Sequence, residues 1–278
     1  MVNENINFKV DNAKCIKCNL CVKDCTMNII EMKDYPEIKT NGLPCIECEH
    51  CLAICPTGAI SILNDSAESV GKVISYNGNP EEIKNLVLSR RSIRQYKNEN
   101  IDKALIRDLC ETALLAPTAK NENNTLLTVI DDKKIMDDFR NKLYDKFNRM
   151  NFDGTHFEQF ALMIKSSREK SNKDKLLAGA PHMIIASAPA DSINIFSDPV
   201  IILSYFEILA NSNNIGTLWN GIMTVLLNDF LPELKNELGI PEEHRVGYVM
   251  VFGPSAVKYQ RGINRKTSSV NYIKDLGH

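Results

Sequence analysis

The chain has 278 residues, of which 44% are hydrophobic and 24% charged, and its formal net charge is -2. This composition is typical of globular proteins and excludes a disordered, collagen-like or coiled-coil chain, while the length suggests about two domains. The balanced charge argues against nucleic acid or an anionic membrane as a partner, and we expect a cytoplasmic protein because neither a long apolar run nor a secretory leader is evident.

Cysteine is concentrated near the start of the chain. Eight of the nine cysteines form two runs with the same spacing, C-x2-C-x2-C-x3-C. The first run is Cys15, Cys18, Cys21 and Cys25, and the second is Cys45, Cys48, Cys51 and Cys55. Three thiolates at this spacing can bind one face of a cuboidal iron–sulfur cluster, while the fourth cysteine of each run binds the other cluster.

The spacing therefore predicts two interlocked 4Fe–4S sites. One site would be bound by Cys15, Cys18, Cys21 and Cys55, and the other by Cys25, Cys45, Cys48 and Cys51. Zinc is a less favoured alternative, because four-thiolate zinc sites normally consist of two separated C-x2-C pairs. Disulfides are less favoured still, because nothing in the sequence points to an oxidising compartment.

The cysteine-rich segment resembles the bacterial two-cluster ferredoxins. The string CPTGAI, residues 55–60, is their usual exit from the second motif, whereas Thr26 follows Cys25 where a proline is usual. The resemblance covers residues 1–63 and implies an iron–sulfur domain there. Residues 64–79 carry turn formers and little apolar periodicity, and we predict a linker over them.

After the linker, helical and strand patterns intermix. Apolar spacing predicts helices over 80–88, 101–115, 133–150 and 199–213, and buried strands over 126–130, 182–189 and 247–253. This mixture predicts an α+β domain over residues 80–278. Cys110 lies on the apolar face of the second helix, where a core role is favoured. Residues 151–175 could form a helix and loop over a pocket, and the sequence leaves their role open.

Three arginines and a serine follow the first predicted helix of this domain. Arg90, Arg91, Ser92 and Arg94 lie within five residues. Guanidinium groups bind phosphate in a bidentate manner and a hydroxyl adds a further hydrogen bond, so the cluster could bind phosphate. Most arginine clusters of this length are solvated surface or helix ends, and the cluster alone leaves both interpretations open.

Four strings in order, RRSIRQY, APTAKNEN, GTLWNG and FGPSAVKYQR, resemble the flavin-dependent nitroreductase family over residues 80–278. The resemblance implies FMN contacts from Arg90, Ser92 and Arg94, with Arg91 adjacent, and phosphate contacts from Lys258 and Arg261. It implies that Pro117, Thr118, Ala119 and Asn121 reach across a homodimer and that Asn123 lies near the flavin ring. Trp219, Asn220 and Gly221 match the segment whose backbone approaches the ring.

These features predict an FMN-dependent oxidoreductase that receives electrons through two 4Fe–4S clusters and reduces a small nitro-type or unsaturated organic substrate. The external donor would be a ferredoxin-type protein or NAD(P)H. We predict no dedicated catalytic residue, because FMN carries the chemistry. Two alternatives remain open: an NAD(P)H-oxidising flavoprotein that passes electrons out to a ferredoxin-type carrier, and a non-catalytic redox sensor.

Overall fold

The structure is a computed structural model that describes residues 6–73, 77–262 and 270–273. The chain divides into two units, one formed by Met1–Gly78 with Pro117–Asn123 and the other by Asn79–Ala116 with Asn124–His278. Residues 1–5 of the first predicted domain, residues 74–76 of the predicted linker, and residues 263–269 and 274–278 of the second predicted domain lie outside the described residues.

The first unit contains short elements around a small apolar core. In chain order they are β1 (Lys9–Val10), α1 (Leu20–Asp24), β2 (Ile30–Met32), β3 (Pro36–Ile38), α2 (His50–Ala53), β4 (Ile60–Ser61) and α3 (Ala67–Val70). β1 pairs with β4 and β2 pairs with β3, both antiparallel. Ile30, Leu52 and Ile60 are buried together with Cys21 and Cys51. The helix α3 lies within the segment that the sequence predicts as linker.

The second unit contains the longer helices and one four-stranded sheet. Its elements are α4 (Pro80–Ser89), α5 (Lys103–Ala113), β5 (Leu126–Ile130), α6 (Lys133–Arg149), α7 (Glu158–Ser171), β6 (His182–Pro189), α8 (Ser197–Ser212), β7 (Ile215–Trp219), α9 (Gly221–Val225), α10 (Glu233–Glu237) and β8 (His244–Pro254). The strand order is β5–β6–β8–β7, with every pairing antiparallel. The predicted α+β class is confirmed, and β7 is a strand that the sequence did not predict.

Four helices of the second unit, α4, α5, α6 and α9, begin at polar capping residues. Asn79 accepts a hydrogen bond from the Glu81 backbone N–H at 2.9 Å, and Pro80 takes the first helical position of α4. Asp102 and Asp132 cap α5 and α6 in the same way. These caps satisfy backbone donors that have no partner inside the helix, and they fix where each helix starts.

The sheet separates two apolar cores. Along β6, Met183 and Ile185 belong to one core, whereas Ile184 and Ala186 belong to the other. Successive side chains of a strand point to opposite faces, so this alternation shows that both faces of the sheet are covered. α6 and α7 contribute to the first core, and α5 and α8 contribute to the second. An unbroken apolar run is the sequence pattern that such a doubly covered strand requires.

The arginine-containing segment attaches to the sheet at β7. The Ile93 backbone N–H donates to the Thr217 carbonyl at 2.9 Å, and Ser92 pairs with Thr217 as a parallel bridge. Gly216 lies beside this contact, and a Cβ added there would lie 2.6 Å from Ile93 Cγ1 and 2.9 Å from Ile93 Cβ. The absence of a side chain at Gly216 therefore lets the segment lie against the strand.

We expect Gly216→Ala to lower the free energy of unfolding of the second unit by about 1–3 kcal/mol, the usual cost of overpacking a filled site. Gly262→Ala is the control, because its added Cβ would meet only the Arg91 guanidinium at 3.8 Å. Chemical denaturation of both variants measures the difference. An equal, small effect of the two substitutions would contradict the close approach at Gly216.

Candidate functional site

Two cavities in the first unit are each lined by four cysteines. One cavity is lined by Cys15, Cys18, Cys21 and Cys55. The other is lined by Cys25, Cys45, Cys48 and Cys51. Among the described residues, no three His, Cys, Asp or Glu side chains lie close enough together to hold one metal ion. Each predicted set of four cysteines therefore lines one cavity, but its sulfurs are not gathered closely enough to bind a single metal ion.

The two cysteine motifs share one backbone geometry. Lys17 and Asn19 flank Cys18, and Glu47 and Glu49 flank Cys48; all four flanking residues have positive φ, between 55° and 64°. Positive φ is uncommon for residues other than glycine. Its occurrence at the same two positions of each motif shows that both loops wind in the same way around their cavities.

Burial disfavours the thiolate at three of these cysteines. It raises the pKa of the Cys21 and Cys45 thiols, and it raises the pKa of Cys51 to about 12. A cysteine binds metal only as the thiolate, so a bound positive charge would be needed to hold these three sulfurs deprotonated. Four cysteines that line one cavity provide the four sulfur donors that a 4Fe–4S cluster takes.

Cys55 differs from the other buried thiols. Burial acts to raise its pKa, but hydrogen bonds outweigh that effect and lower the pKa below the ordinary value. The strongest of them comes from the Ala59 backbone N–H, which donates to Cys55 Sγ at 3.2 Å. Gly58, in the same turn, has φ +62°, and this left-handed conformation carries the chain back toward Cys55. Such donors to sulfur tune the electronic properties of a bound metal.

The second unit contains an open cleft of about 920 Å³. This volume lies within the roughly 300–1,000 Å³ that is common for small-molecule sites. The cleft is lined by Arg94, by residues 218–222 at the end of β7, named here the strand wall, and by residues of α7 and of the loop after it. Of the predicted flavin contacts, the structure brings Arg94, Trp219, Asn220 and Gly221 to this cleft.

Asn220 holds the strand wall in place. It is 4% exposed, and its side-chain Nδ2 donates to the Leu176 carbonyl at 2.7 Å, while its Oδ1 accepts from the Met223 backbone N–H at 3.1 Å. Its amide is therefore committed to protein partners. Next to it, Gly221 lies close to Tyr248, whose hydroxyl would be 3.1 Å from an added Cβ. The absence of a side chain at Gly221 thus leaves room for the Tyr248 hydroxyl.

The arginine cluster is divided between different environments. The Arg90 guanidinium lies 3.3 Å from Glu207 Oε1, and Glu207 is 8% exposed and also accepts from Thr217 Oγ1 at 3.0 Å. The positive charge of Arg90 thus stabilises the negative charge of the buried Glu207 carboxylate. Arg94 is exposed and faces the cleft, whereas Arg91 lines a separate cavity.

That separate cavity is basic. Its volume is about 490 Å³, and it is lined by Arg91, Lys97 and Lys258, together with Asn211 and Asn214. Arg91 Nε is buried and has no hydrogen-bond partner within the described part of the chain. Lys258, predicted to contact phosphate, lies here rather than in the cleft. Arg261, with the same prediction, is exposed and lines neither cavity.

The loop Pro117–Asn123 belongs to the first unit. Asn121 Nδ2 donates to the carbonyls of Ile46 and Glu47 at 3.2 and 3.1 Å, beside the second cysteine motif. Within the loop, Thr118 Oγ1 donates to Asn123 Oδ1 at 3.2 Å. The predicted flavin contacts Pro117, Thr118, Ala119, Asn121 and Asn123 therefore group with the cysteine-bearing unit.

Sequence reasoning missed Asp174, which organises the loop after α7. Its Oδ1 accepts from the Tyr144 hydroxyl at 3.0 Å and from the Leu177 backbone N–H at 2.9 Å. Its Oδ2 accepts from Arg140 Nε at 2.8 Å and from the Gly179 backbone N–H at 2.9 Å. These bonds fix the cleft wall that faces Asn220. No signal in the sequence distinguishes this residue from a surface aspartate between two lysines.

The nitroreductase family profile matches residues 87–254, which is more than half of the chain. The chain belongs to the nitroreductase family. A profile described as a 4Fe-4S dicluster domain matches residues 14–60. A search of the curated proteins gave no match. No helix in the described part of the chain is both long and apolar enough to span a membrane.

Several solved structures share the fold of the nitroreductase domain. A nitroreductase with bound FMN from Bacteroides fragilis matches with a TM-score of 0.57 and 19% identity, covering 69% of this chain and 99% of that chain. A nitroreductase with bound FMN from Desulfitobacterium hafniense matches with a TM-score of 0.55 and 20% identity, covering 69% and 98%. At these identities the similarity establishes the fold of this nitroreductase-family chain.

We expect Asp174→Asn to lower the free energy of unfolding of the nitroreductase domain by about 2–4 kcal/mol. The substitution removes the negative charge that faces Arg140 and replaces an acceptor oxygen by a donor. Asp153→Asn, at an exposed aspartate, should change the free energy by less than about 0.5 kcal/mol. Chemical denaturation checks both values, and equal stability of the two variants would contradict the role of Asp174.

Proposed function

We propose that this chain is an FMN-dependent oxidoreductase in which two 4Fe–4S clusters deliver electrons to the flavin, and that it reduces a small nitro-type or unsaturated organic molecule. One observation carries the proposal: a single chain contains two cavities, each lined by four cysteines, and a nitroreductase-family domain with an open cleft. A one-electron relay joined to a flavin domain lets single-electron donors serve two-electron chemistry.

The clusters would be bound by the cysteines that line each cavity. Cys15, Cys18, Cys21 and Cys55 would bind one cluster, and Cys25, Cys45, Cys48 and Cys51 the other. The match to a dicluster family supports the number of sites.

The cleft is the proposed site of the flavin ring. Two structural neighbours contain bound FMN, and the cleft is lined by an aromatic residue, Trp219, by Gly221 and by a cation, Arg94. When bound, FMN supplies hydride and single-electron transfer. The residues of this chain position it: Gly221 permits close approach of the backbone, and Arg94 provides positive charge. Arg91 and Lys258, in the basic cavity, are candidates for the phosphate.

We further propose a homodimer, in which the loop Pro117–Asn123 takes part in the flavin site of the partner. The resemblance to the family supports this assembly. In this chain the loop also contacts the second cysteine motif, through the hydrogen bonds from Asn121 to the Ile46 and Glu47 carbonyls. An external electron donor, either a ferredoxin-type protein or NAD(P)H, completes the proposal.

Donor specificity tests the direction of electron flow. The protein is reconstituted anaerobically with iron, sulfide and FMN, and the flavin absorption is followed after addition of reduced ferredoxin or of NAD(P)H. We expect reduced ferredoxin to bleach the flavin. Bleaching by NAD(P)H followed by reduction of added ferredoxin would instead support outward flow, and a flavin that neither donor bleaches would contradict the enzyme and favour a sensor.

We expect Cys51→Ala to lower the iron content of the reconstituted protein to about half, because one of the two clusters loses a ligand. Cys110→Ala is the matched control: burial raises the pKa of the Cys110 thiol to about 12, as it does for Cys51, but Cys110 packs in the core of the other unit. Iron analysis after desalting measures both. Unchanged iron in Cys51→Ala, or loss of iron in Cys110→Ala, would contradict the assignment.

A further inference from the structure

One wall of the cleft carries positive charges that the proposed flavin contacts do not include. The wall is the loop of residues 172–179, named here the lysine loop, and it contains Lys173 and Lys175. It faces the strand wall, to which it is joined by the bond from Asn220 Nδ2 to the Leu176 carbonyl at 2.7 Å. The lysine loop is therefore fixed relative to the segment that would approach the flavin ring.

The charge of the lysine loop is not cancelled within the protein. Asp174 lies between the two lysines, but its carboxylate is engaged by Arg140 Nε at 2.8 Å and by backbone N–H groups. Neither the Lys173 nor the Lys175 ammonium has an ion-pair or hydrogen-bond partner among the described residues. Asp174 is the one acidic residue among the described residues that line the cleft, whereas Arg94 adds a third positive charge. The cleft thus presents an excess of positive charge.

The neighbouring part of the wall is apolar. Phe160 and Met163, on α7, line the cleft and are 40% and 44% exposed. Aromatic and thioether side chains pack well against flat, polarisable rings. The wall thereby combines an apolar surface for a ring with cations for an attached negative group.

We propose that the substrate is an aromatic or unsaturated acid, whose carboxylate binds Lys173 and Lys175 while its apolar part packs against Phe160 and Met163. This inference rests on the proposed function, since it names the substrate class of the same cleft. Two lysines on a fixed loop attract a carboxylate by charge and by hydrogen bonds. The contribution falls as salt screens the charges, because the ammonium groups face solvent.

Binding of benzoate and benzamide to the oxidised, FMN-loaded full chain tests the inference without turnover. The two probes share a ring and differ in charge, and their dissociation constants are read from the perturbation of the flavin absorption. We expect benzoate to bind more tightly than benzamide in the wild type. The double variant Lys173→Gln/Lys175→Gln should weaken benzoate binding about tenfold and change benzamide binding less than twofold.

The charge-matched control is Lys134→Gln/Lys170→Gln, at two exposed lysines that do not line the cleft. It should leave the affinity for benzoate within about twofold of the wild type. FMN content per chain is measured for every variant, because the lysines could instead bind the phosphate of FMN. Equal FMN content in all variants, together with selective loss of benzoate binding, supports the inference.

Several results would overturn the inference alone. They are a flavin-loaded wild type that fails to bind benzoate or binds the two probes alike, an unchanged affinity in the lysine-loop variant, and a fall of its FMN content. A wild type that retains no FMN would overturn the proposed function together with the inference. The two failures are therefore distinguished by the flavin spectrum of the wild type.

Discussion

The exchange of one cysteine between the two motifs is the constraint on which the first unit depends. Each cavity takes three sulfurs from one motif and the fourth from the other, so Cys25 and Cys55 must both leave their own loops. The β1–β4 pair and the shared apolar core bring the two halves together. Because neither site is complete until both halves pack, cluster binding and folding of this unit should be coupled.

The second unit depends on a different constraint, the burial of both faces of its central strands. Because both faces of the sheet are covered by helices, other segments of the chain can attach only at the edge of the sheet or at the ends of its strands. The edge of β7 accepts the segment around Ile93 through Thr217, which places Arg91 and Arg94 in two different cavities. The end of β7 turns at Asn220 into α9, and this turn forms the strand wall of the cleft. The positions of the basic residues thus follow from the sheet.

The sequence predicts those parts of the structure that local chemistry determines. The strands at 126–130 and 182–189 match β5 and β6 at both ends, because apolar runs bounded by polar residues leave little choice. β7 has the same length as β5 but escaped prediction because it contains Gly216 and buries the polar Thr217 through a hydrogen bond to Glu207. The grouping of cysteines follows from ligand spacing, whereas the role of Asp174 depends on partners distant in sequence, such as Arg140.

The central claim is that clusters and flavin reside in the same chain. The most direct measurement is an anaerobic absorption spectrum of the purified protein, combined with counts of iron, acid-labile sulfide and FMN. The account predicts about eight iron atoms and eight sulfides per chain, from two 4Fe–4S clusters, and about one FMN. A colourless protein, or one that contains zinc and no flavin, would contradict it.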